Sequence, residues 1–151
     1  MTRERGIALG CASVLAAIAA AAYAPSTGFP FVRYDDDIRL LANAPVRGGL
    51  SGDGIAWAFG ATWDGNWSPV TWISHMLDFS LYASDAGGHH GMNVLLHALN
   101  AVLLFFALRS ASGAPLRSAA VTLLFAVHPI HVETVAWVSE RKGLLAATFG
   151  F

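Results

Sequence analysis

Two short clusters of charged residues could do chemistry together. Asp35, Asp36 and Asp37 supply three carboxylates in a row, and Arg141 and Lys142 supply two neighbouring cations. A carboxylate can act as a general base towards a hydroxyl group, and an arginine can hold a phosphate through two parallel hydrogen bonds. Together they suit the transfer of a group away from a leaving phosphate. Alternatively, the acids are solvated or cap a helix, and the cations belong to a solvated turn.

A second polar patch runs from His128 to Glu133 and contains two histidines and an acid. The familiar zinc-binding helix has its histidines four residues apart with a glutamate beside the first, whereas here they are three apart with a proline between them. We therefore predict no metal site in this patch, and Glu133 is expected to be held by His131 or Arg141. If the chemistry needs a divalent cation, the candidate ligands are Asp35, Asp36 and Glu133.

A polar stripe interrupts an otherwise apolar stretch of the chain. His90, Asn93, His97 and Asn100 are spaced by 3, 4 and 3 residues, so they share one face of a helix. Inside a bilayer such groups either hydrogen-bond to neighbouring helices or line a site. The end of the stripe at His90 is nearest the aspartates and is the better candidate for a functional role.

The composition places these residues in a membrane protein. The chain has 55% hydrophobic and 13% charged residues, whereas a soluble domain has about 25% charged residues. The net charge of −1 without a basic stretch excludes a typical nucleic-acid binder, and the low charge excludes a disordered chain. Cys11 is the single cysteine, so the chain is not a disulfide scaffold.

Stretches without charge predict an all-α integral membrane fold with three spans and the start of a fourth. The first uncharged stretch contains the 19 residues of Gly6–Ala24, the later ones are 23, 15 and nine residues long, and a spanning helix needs about 20. The predicted segments are a first span at 1–24, a loop at 25–85, a second span at 86–108, a turn at 109–117, a third span at 118–135, a loop at 136–142 and part of a fourth span at 143–151. We expect the chain to be a fragment that stops within or before that fourth span. A cleaved signal peptide is the alternative for the first stretch.

The loop at 25–85 is predicted to contain two short helices. Ser51 is a candidate N-cap for the first, and the second is expected at about Pro69 to Tyr82. Four of the five tryptophans lie between positions 57 and 72, which favours helices lying on the membrane surface over a cap packed on its own core. Arginines before the first span and around the 109–117 turn place this loop outside the cytoplasm.

The motifs resemble one family when taken in order. The first is Asp35-Asp36, which follows Phe31-Val32-Arg33-Tyr34, and the second runs from Gly65 to Asp78. The remaining motifs are Gly88-His89-His90 with the polar stripe, the His128–Glu133 patch, Ala136-Trp137-Val138 and Glu140-Arg141-Lys142. This order is similar to the N-terminal part of the bacterial tetratricopeptide-repeat membrane proteins that are akin to the transmembrane and tetratricopeptide-repeat O-mannosyltransferases, in the GT-C glycosyltransferase superfamily.

The resemblance implies a protein with about ten spans or more, a repeat domain outside the cytoplasm, and a donor sugar carried on polyprenyl phosphate. On that pattern Asp36 is the base with Asp35 in support, and Arg141 is the second-loop arginine. The family often has an acid after the position of Lys142, where this chain has Gly143. The candidate donor-binding residues are Arg141, Lys142, Glu133, His90 and His131.

The expected partners are the lipid bilayer, the lipid-linked sugar and a protein acceptor, in a bacterial inner membrane. Two other functions stay open. One is a non-catalytic membrane anchor for a repeat scaffold, and the other is part of a transporter with the polar stripe as a proton path. An intact acid pair with an arginine clamp favours the enzyme over the anchor.

Overall fold

The structure, a computed structural model, describes residues 2–151; Met1, counted in the first predicted span, lies outside them. The described residues form helices, and no β-strand occurs among them. The α-helices are α1 (Thr2–Tyr23), α2 (Ala44–Arg47), α3 (Gly52–Gly60), α4 (Pro69–Tyr82), α5 (Ala86–Ser112), α6 (Pro115–Val127), α7 (Val132–Ala136) and α8 (Arg141–Gly150). Short 3₁₀ turns occupy Ala24–Gly28, Pro129–His131 and Val138–Glu140, and a π turn occupies Asp37–Leu41. The all-α prediction is therefore confirmed for residues 2–151.

Two segments are long and apolar enough to cross a bilayer. They are Glu4–Gly28, with a mean hydropathy of 2.1, and Ala86–Ser112, with a mean hydropathy of 1.9. A third crossing requires Pro115–Val127 and Pro129–Ala136 to act as one span, although they meet at a bend of 48°. Proline lacks an amide proton and its ring crowds the preceding turn, so Pro129 breaks this helix. The predicted fourth span is represented by the ten residues of α8 and stays a prediction.

Small side chains bring α1 close to α5 and α6. Ala8, Ala12 and Leu15 pack against Phe105, and one turn further along Ala19 meets Ala98, Ala101 and Ala126. Alanines at a helix interface let the backbones approach, which is how helices associate where lipid removes the hydrophobic driving force. The three helices therefore form one bundle that carries the loops at its end.

The connection between α5 and α6 is shorter than the predicted turn at 109–117. Helix α5 continues past Arg109 to Ser112, where Gly113 takes a left-handed conformation with φ of 65° and its amide donates to the Arg109 carbonyl at 2.9 Å. Glycine adopts this conformation without steric cost, and a proline at the first helical position starts the next helix. Both flanking arginines, Arg109 and Arg117, therefore lie on helices.

The segment between α1 and α5, residues 29–85, has a hydrophobic core of its own. Helix α3 begins at Ser51, whose hydroxyl accepts the Gly54 amide at 3.0 Å, and α4 has the bounds expected from the sequence. The core contains Leu40, Val46, Ala58, Trp72, Met76, Phe79 and, from beyond α7, Val138. This packing agrees with the alternative of a cap on its own core. Contact of these helices with the membrane surface stays a prediction.

The polar stripe of α5 joins that helix to the chain between α6 and α8. Asn93 donates to the carbonyls of Val135 and Trp137 at 3.3 and 3.2 Å, and Asn100 donates to the Leu144 carbonyl at 2.9 Å. The His97 Nε2 lies 3.1 Å from the Ala126 carbonyl oxygen and donates to it. These bonds match the first of the two roles that the sequence left open, hydrogen bonding between helices.

Candidate functional site

Asp36 is the point at which residues 29–85 are attached to the segment before α8. Its side chain is fully buried; Oδ2 accepts the Val32 amide at 2.9 Å, and Oδ1 accepts both the amide of Ser139, at 3.0 Å, and its hydroxyl. All three donors to this one carboxylate come from the chain itself. The predicted base is therefore a buried, hydrogen-bonded carboxylate whose partner, Ser139, stands two residues before Arg141.

Asp35 lies beside Asp36 but faces a different partner. Its carboxylate pairs with the Arg39 guanidinium at 3.2 Å, one helical turn further along the chain. Arg39 also reaches Asp64 at 3.0 Å and Glu140 at 3.8 Å, so one cation gathers acids from three parts of the chain. The Asp35 side chain keeps 18% of its surface exposed and is the more accessible member of the acid pair.

Arg141 is fully buried and does not contact Glu133. Its guanidinium pairs with the buried carboxylate of Asp78 at 2.5 Å, and its Nε donates to the Asn93 side-chain oxygen at 2.7 Å. It also donates to the carbonyls of His89, at 3.0 Å, and Ser74, at 3.4 Å. The expected pairing with Glu133 is wrong, because the arginine points into the protein, where it joins α8 to α4 and α5.

The other candidate donor-binding residues lie apart from one another. Lys142 is 46% exposed and pairs with Glu140 at 3.2 Å. Glu133 is exposed on an apolar groove that it lines with Phe29, Val32, Tyr34, Val132, Ala136 and Trp137. His131 packs against Phe125, with ring centroids 4.5 Å apart, and the buried His90 ring has its Nε2 3.5 Å from the Pro30 carbonyl oxygen.

A narrow opening lies next to the Asp36 contact. Its lining includes two cationic side chains, Arg39 and Lys142, and the polar residues Asn66, His75 and Ser139. Ser139 is the residue that holds Asp36, so the opening adjoins the buried acid. An anionic group entering here would meet Arg39 and Lys142 before it met Arg141.

A buried cluster that the sequence analysis did not single out lies behind this opening. It consists of His75, Asp78 and His89, whose ligand-type atoms lie within 4.8 Å of one another. The signal was present, because a histidine and an aspartate three residues apart share one helix face. Those residues were noted only as part of a motif, and nothing local marked His89 as their neighbour.

Burial shifts the pKa values of His75 and Asp78, the two members of this cluster that lie outside the candidate spans. Desolvation lowers the pKa of the His75 ring well below its usual range, and the nearby Arg141 charge lowers it further, so the ring is neutral at pH 7. Burial also raises the pKa of the Asp78 carboxyl, while the adjacent guanidinium of Arg141 opposes that shift. The 2.5 Å ion pair keeps both groups charged.

Gly143 stands where the resemblance leads one to expect an acid. A Cβ at this position would lie 2.9 Å from the Cγ2 atom of Thr134, which is closer than carbon atoms approach in proteins. A larger residue here would therefore require the Thr134 side chain to move. No acid at this position takes part in the site of this chain.

The known proteins to which this chain is similar in sequence are protein O-mannosyl-transferases. The chain is 35% identical over 132 residues to protein O-mannosyl-transferase Tmtc2 of Drosophila melanogaster, covering 82% of this chain and 14% of that protein. It is 31% identical over 159 residues to protein O-mannosyl-transferase TMTC1 of Homo sapiens, covering 96% and 18%. Protein O-mannosyl-transferase Tmtc1 of Drosophila melanogaster is 32% identical over 119 residues, covering 74% and 14%.

The chain spans less than a fifth of the length of these relatives. No family model matches it, and no solved structure matches it. Its curated relatives are nevertheless protein O-mannosyl-transferases, and the similarity to them extends over most of this chain.

Proposed function

We propose that this chain is the N-terminal part of a polytopic membrane glycosyltransferase. That enzyme moves a sugar from a polyprenyl-phosphate donor to a hydroxyl group of a protein or other acceptor. One observation carries the proposal: the Asp36 carboxylate is bound by Ser139, 103 residues away in the sequence. This contact brings the acid pair to the segment that carries Arg141 and Lys142. The names of the relatives support glycosyl transfer as the reaction class.

In the proposed reaction Asp36 takes the proton of the acceptor hydroxyl. The acceptor oxygen forms a bond to the anomeric carbon, the bond from that carbon to the phosphate oxygen breaks, and the polyprenyl phosphate leaves with the bonding electrons. The Ser139 hydroxyl already donates to Asp36 Oδ1 and marks where an acceptor hydroxyl would bind after Ser139 rotates away. Asp35 supports the base by holding Arg39 next to the same opening.

The leaving phosphate needs cations near the opening. Lys142 lines it and is exposed, so it is the first candidate for direct contact. Arg141 would bind phosphate through two parallel bonds only after leaving Asp78, whose charge neutralises it until then. Glu133 lines the apolar groove, where the lipid part of a donor would pass, and His90 and His131 are assigned to the donor side of the site.

A non-catalytic anchor for a repeat scaffold is the second candidate. One observation favours it: Asp36 and Arg141 are both fully buried and both bonded within the chain. In an anchor these bonds would only hold residues 29–85 against α5 and α8. Such a protein would need neither an accessible base nor a free cation.

A test of donor class separates the two candidates. Membranes containing the longer protein that carries this chain would be supplied with mannose linked either to polyprenyl phosphate or to a nucleotide. We expect transfer to serine- and threonine-containing peptides from the lipid-linked sugar and none from the nucleotide sugar. An anchor would transfer neither sugar above the level of membranes that lack the protein.

We further propose that residues 25–85 face the outside of a bacterial inner membrane. Single cysteines at the exposed positions Ser84 and Ser112, in a Cys11→Ser background, would test the orientation. We expect a membrane-impermeant thiol reagent to label Ser84→Cys in intact cells and Ser112→Cys only after permeabilisation, because Arg109 and Arg117 flank Ser112 at the end of α5. Labelling in the opposite order would invert the topology and place the acid pair in the cytoplasm.

A further inference from the structure

We propose that His75, Asp78 and His89 bind one zinc ion. Helix α4 supplies the first two side chains, one turn apart, and the first turn of α5 supplies the third. All three side chains are buried, and their ligand atoms lie within 4.8 Å of one another. This site is distinct from the acid pair, and it does not rest on the proposed glycosyl transfer.

The hydrogen bonds around His89 leave a lone pair directed into the cluster. Its Nε2 lies 3.0 Å from the carbonyl oxygen of Ala83, and because a carbonyl can only accept, Nε2 carries the proton. The Nδ1 atom of the neutral ring is then an acceptor, and it lies 3.5 Å from the Asp78 Oδ2. Two acceptors that face each other repel unless a cation lies between them.

Two further side-chain atoms of the cluster that can bind a cation have no hydrogen-bond partner within residues 2–151. They are Nδ1 of His75 and Oδ1 of Asp78, both on fully buried side chains. A buried polar atom without a partner costs about 1–3 kcal/mol, so proteins rarely leave several side by side. One bound cation would satisfy both of these atoms and Nδ1 of His89 together.

Two of the three side chains make the hydrogen bonds that usually orient metal ligands. A ligating histidine usually donates its second ring N–H to a carbonyl or carboxylate, as His89 does to Ala83. A ligating carboxylate is usually hydrogen-bonded in turn, and the Arg141 guanidinium binds Oδ2 of Asp78 while Oδ1 stays available. These contacts fix both ligands without occupying the atoms that would bind the ion.

The donor set selects the class of ion. Mg²⁺ and Ca²⁺ prefer oxygen ligands, whereas Zn²⁺ binds two imidazoles and a carboxylate and keeps a fourth position for water. Arg141 already neutralises Asp78, so an incoming cation gains little from simple charge attraction. Strong bonds to nitrogen must supply the affinity, which again favours Zn²⁺. His75 also lines the narrow opening, which places the cluster next to the surface.

A proton shared between His89 and Asp78 is the rival account. A charged imidazolium would donate from Nδ1 to the carboxylate and remove the repulsion across 3.5 Å. It leaves Nδ1 of His75 without a partner, and it places a second cation beside Arg141 in a fully buried cluster. A metal ion differs from a proton in a way that can be measured directly.

The experiment uses the whole chain, purified in detergent, stripped with a chelator and titrated with Zn²⁺ alone. We expect one tightly bound zinc per chain by elemental analysis. His75→Ala and His89→Ala should each weaken binding by more than about 10-fold, since changes even to the groups behind a ligand cost that much. His128→Ala is the matched control, because His128 is exposed and lies outside the cluster.

A measurement on the unaltered chain covers the case in which a variant does not fold. Co²⁺ in place of Zn²⁺ should give the strong visible absorption of a four-coordinate site, and Zn²⁺ should remove it. The proposal is overturned if the unaltered chain retains no zinc, if the Co²⁺ spectrum shows six-coordinate ion only, or if His128→Ala loses as much zinc as the other two variants.

Discussion

Replacing Arg141 with alanine is expected to lower the free energy of unfolding by about 3–5 kcal/mol, the range found when one partner of a buried ion pair is removed. Asp78 would be left as a fully buried carboxylate without its counter-charge. Asn93 and the His89 carbonyl would also lose their donors. Arg141→Lys keeps the charge but cannot make the bonds to both α4 and α5 at once, so we expect an intermediate loss.

Unfolding of the purified chain in mixed micelles would measure these changes. Lys142→Ala is the matched control. Lys142 is the exposed cation next to Arg141, and its pairing with Glu140 should contribute less than about 1 kcal/mol. The double variant Arg141→Ala, Asp78→Asn should recover part of the loss, because the unpaired charge is gone. An Arg141→Ala chain as stable as the original, with weaker donor binding, would instead restore the phosphate clamp expected from the sequence.

Local signals predicted the parts of the fold that depend on neighbouring residues. Ser51 and Pro69 are helix-start residues, and both short helices begin where those residues place them. The uncharged stretches marked the two clear span candidates, and the proline after His128 stands at the bend that follows α6. The end of α5 was misplaced because Arg109 was weighed as a turn residue, whereas the left-handed Gly113 ends the helix.

The partners of the site residues could not be predicted from the sequence. The sequence leaves Arg141 to a donor phosphate or to the nearby Glu133, whereas the acid that tertiary packing brings to it is Asp78, 63 residues earlier. The contact from Asp36 to Ser139 is likewise created only by docking residues 29–85 onto the end of the bundle. The types and spacing of the residues identified the candidate site residues, and tertiary packing determines which of them are in contact.

On the proposed function, replacing Asp36 with asparagine should reduce sugar transfer by about 10²-fold or more in an enzyme that contains this chain, the effect of losing a general base. Asparagine keeps the shape of the side chain and one oxygen that can accept the Ser139 amide, but it cannot take a proton. Some stability will also be lost, because three hydrogen bonds to a charge become weaker. Stability must therefore be measured beside the rate.

The decisive measurement is the initial rate of transfer from mannose linked to polyprenyl phosphate, at matched amounts of folded protein. It compares the unaltered protein with Asp36→Asn and with Asp37→Asn, whose exposed carboxylate accepts only the amide of Ile38 within the described chain. We expect Asp36→Asn to lose about 10²-fold or more of the rate and Asp37→Asn to stay near the original. A folded Asp36→Asn protein that transfers mannose at the original rate would contradict the account.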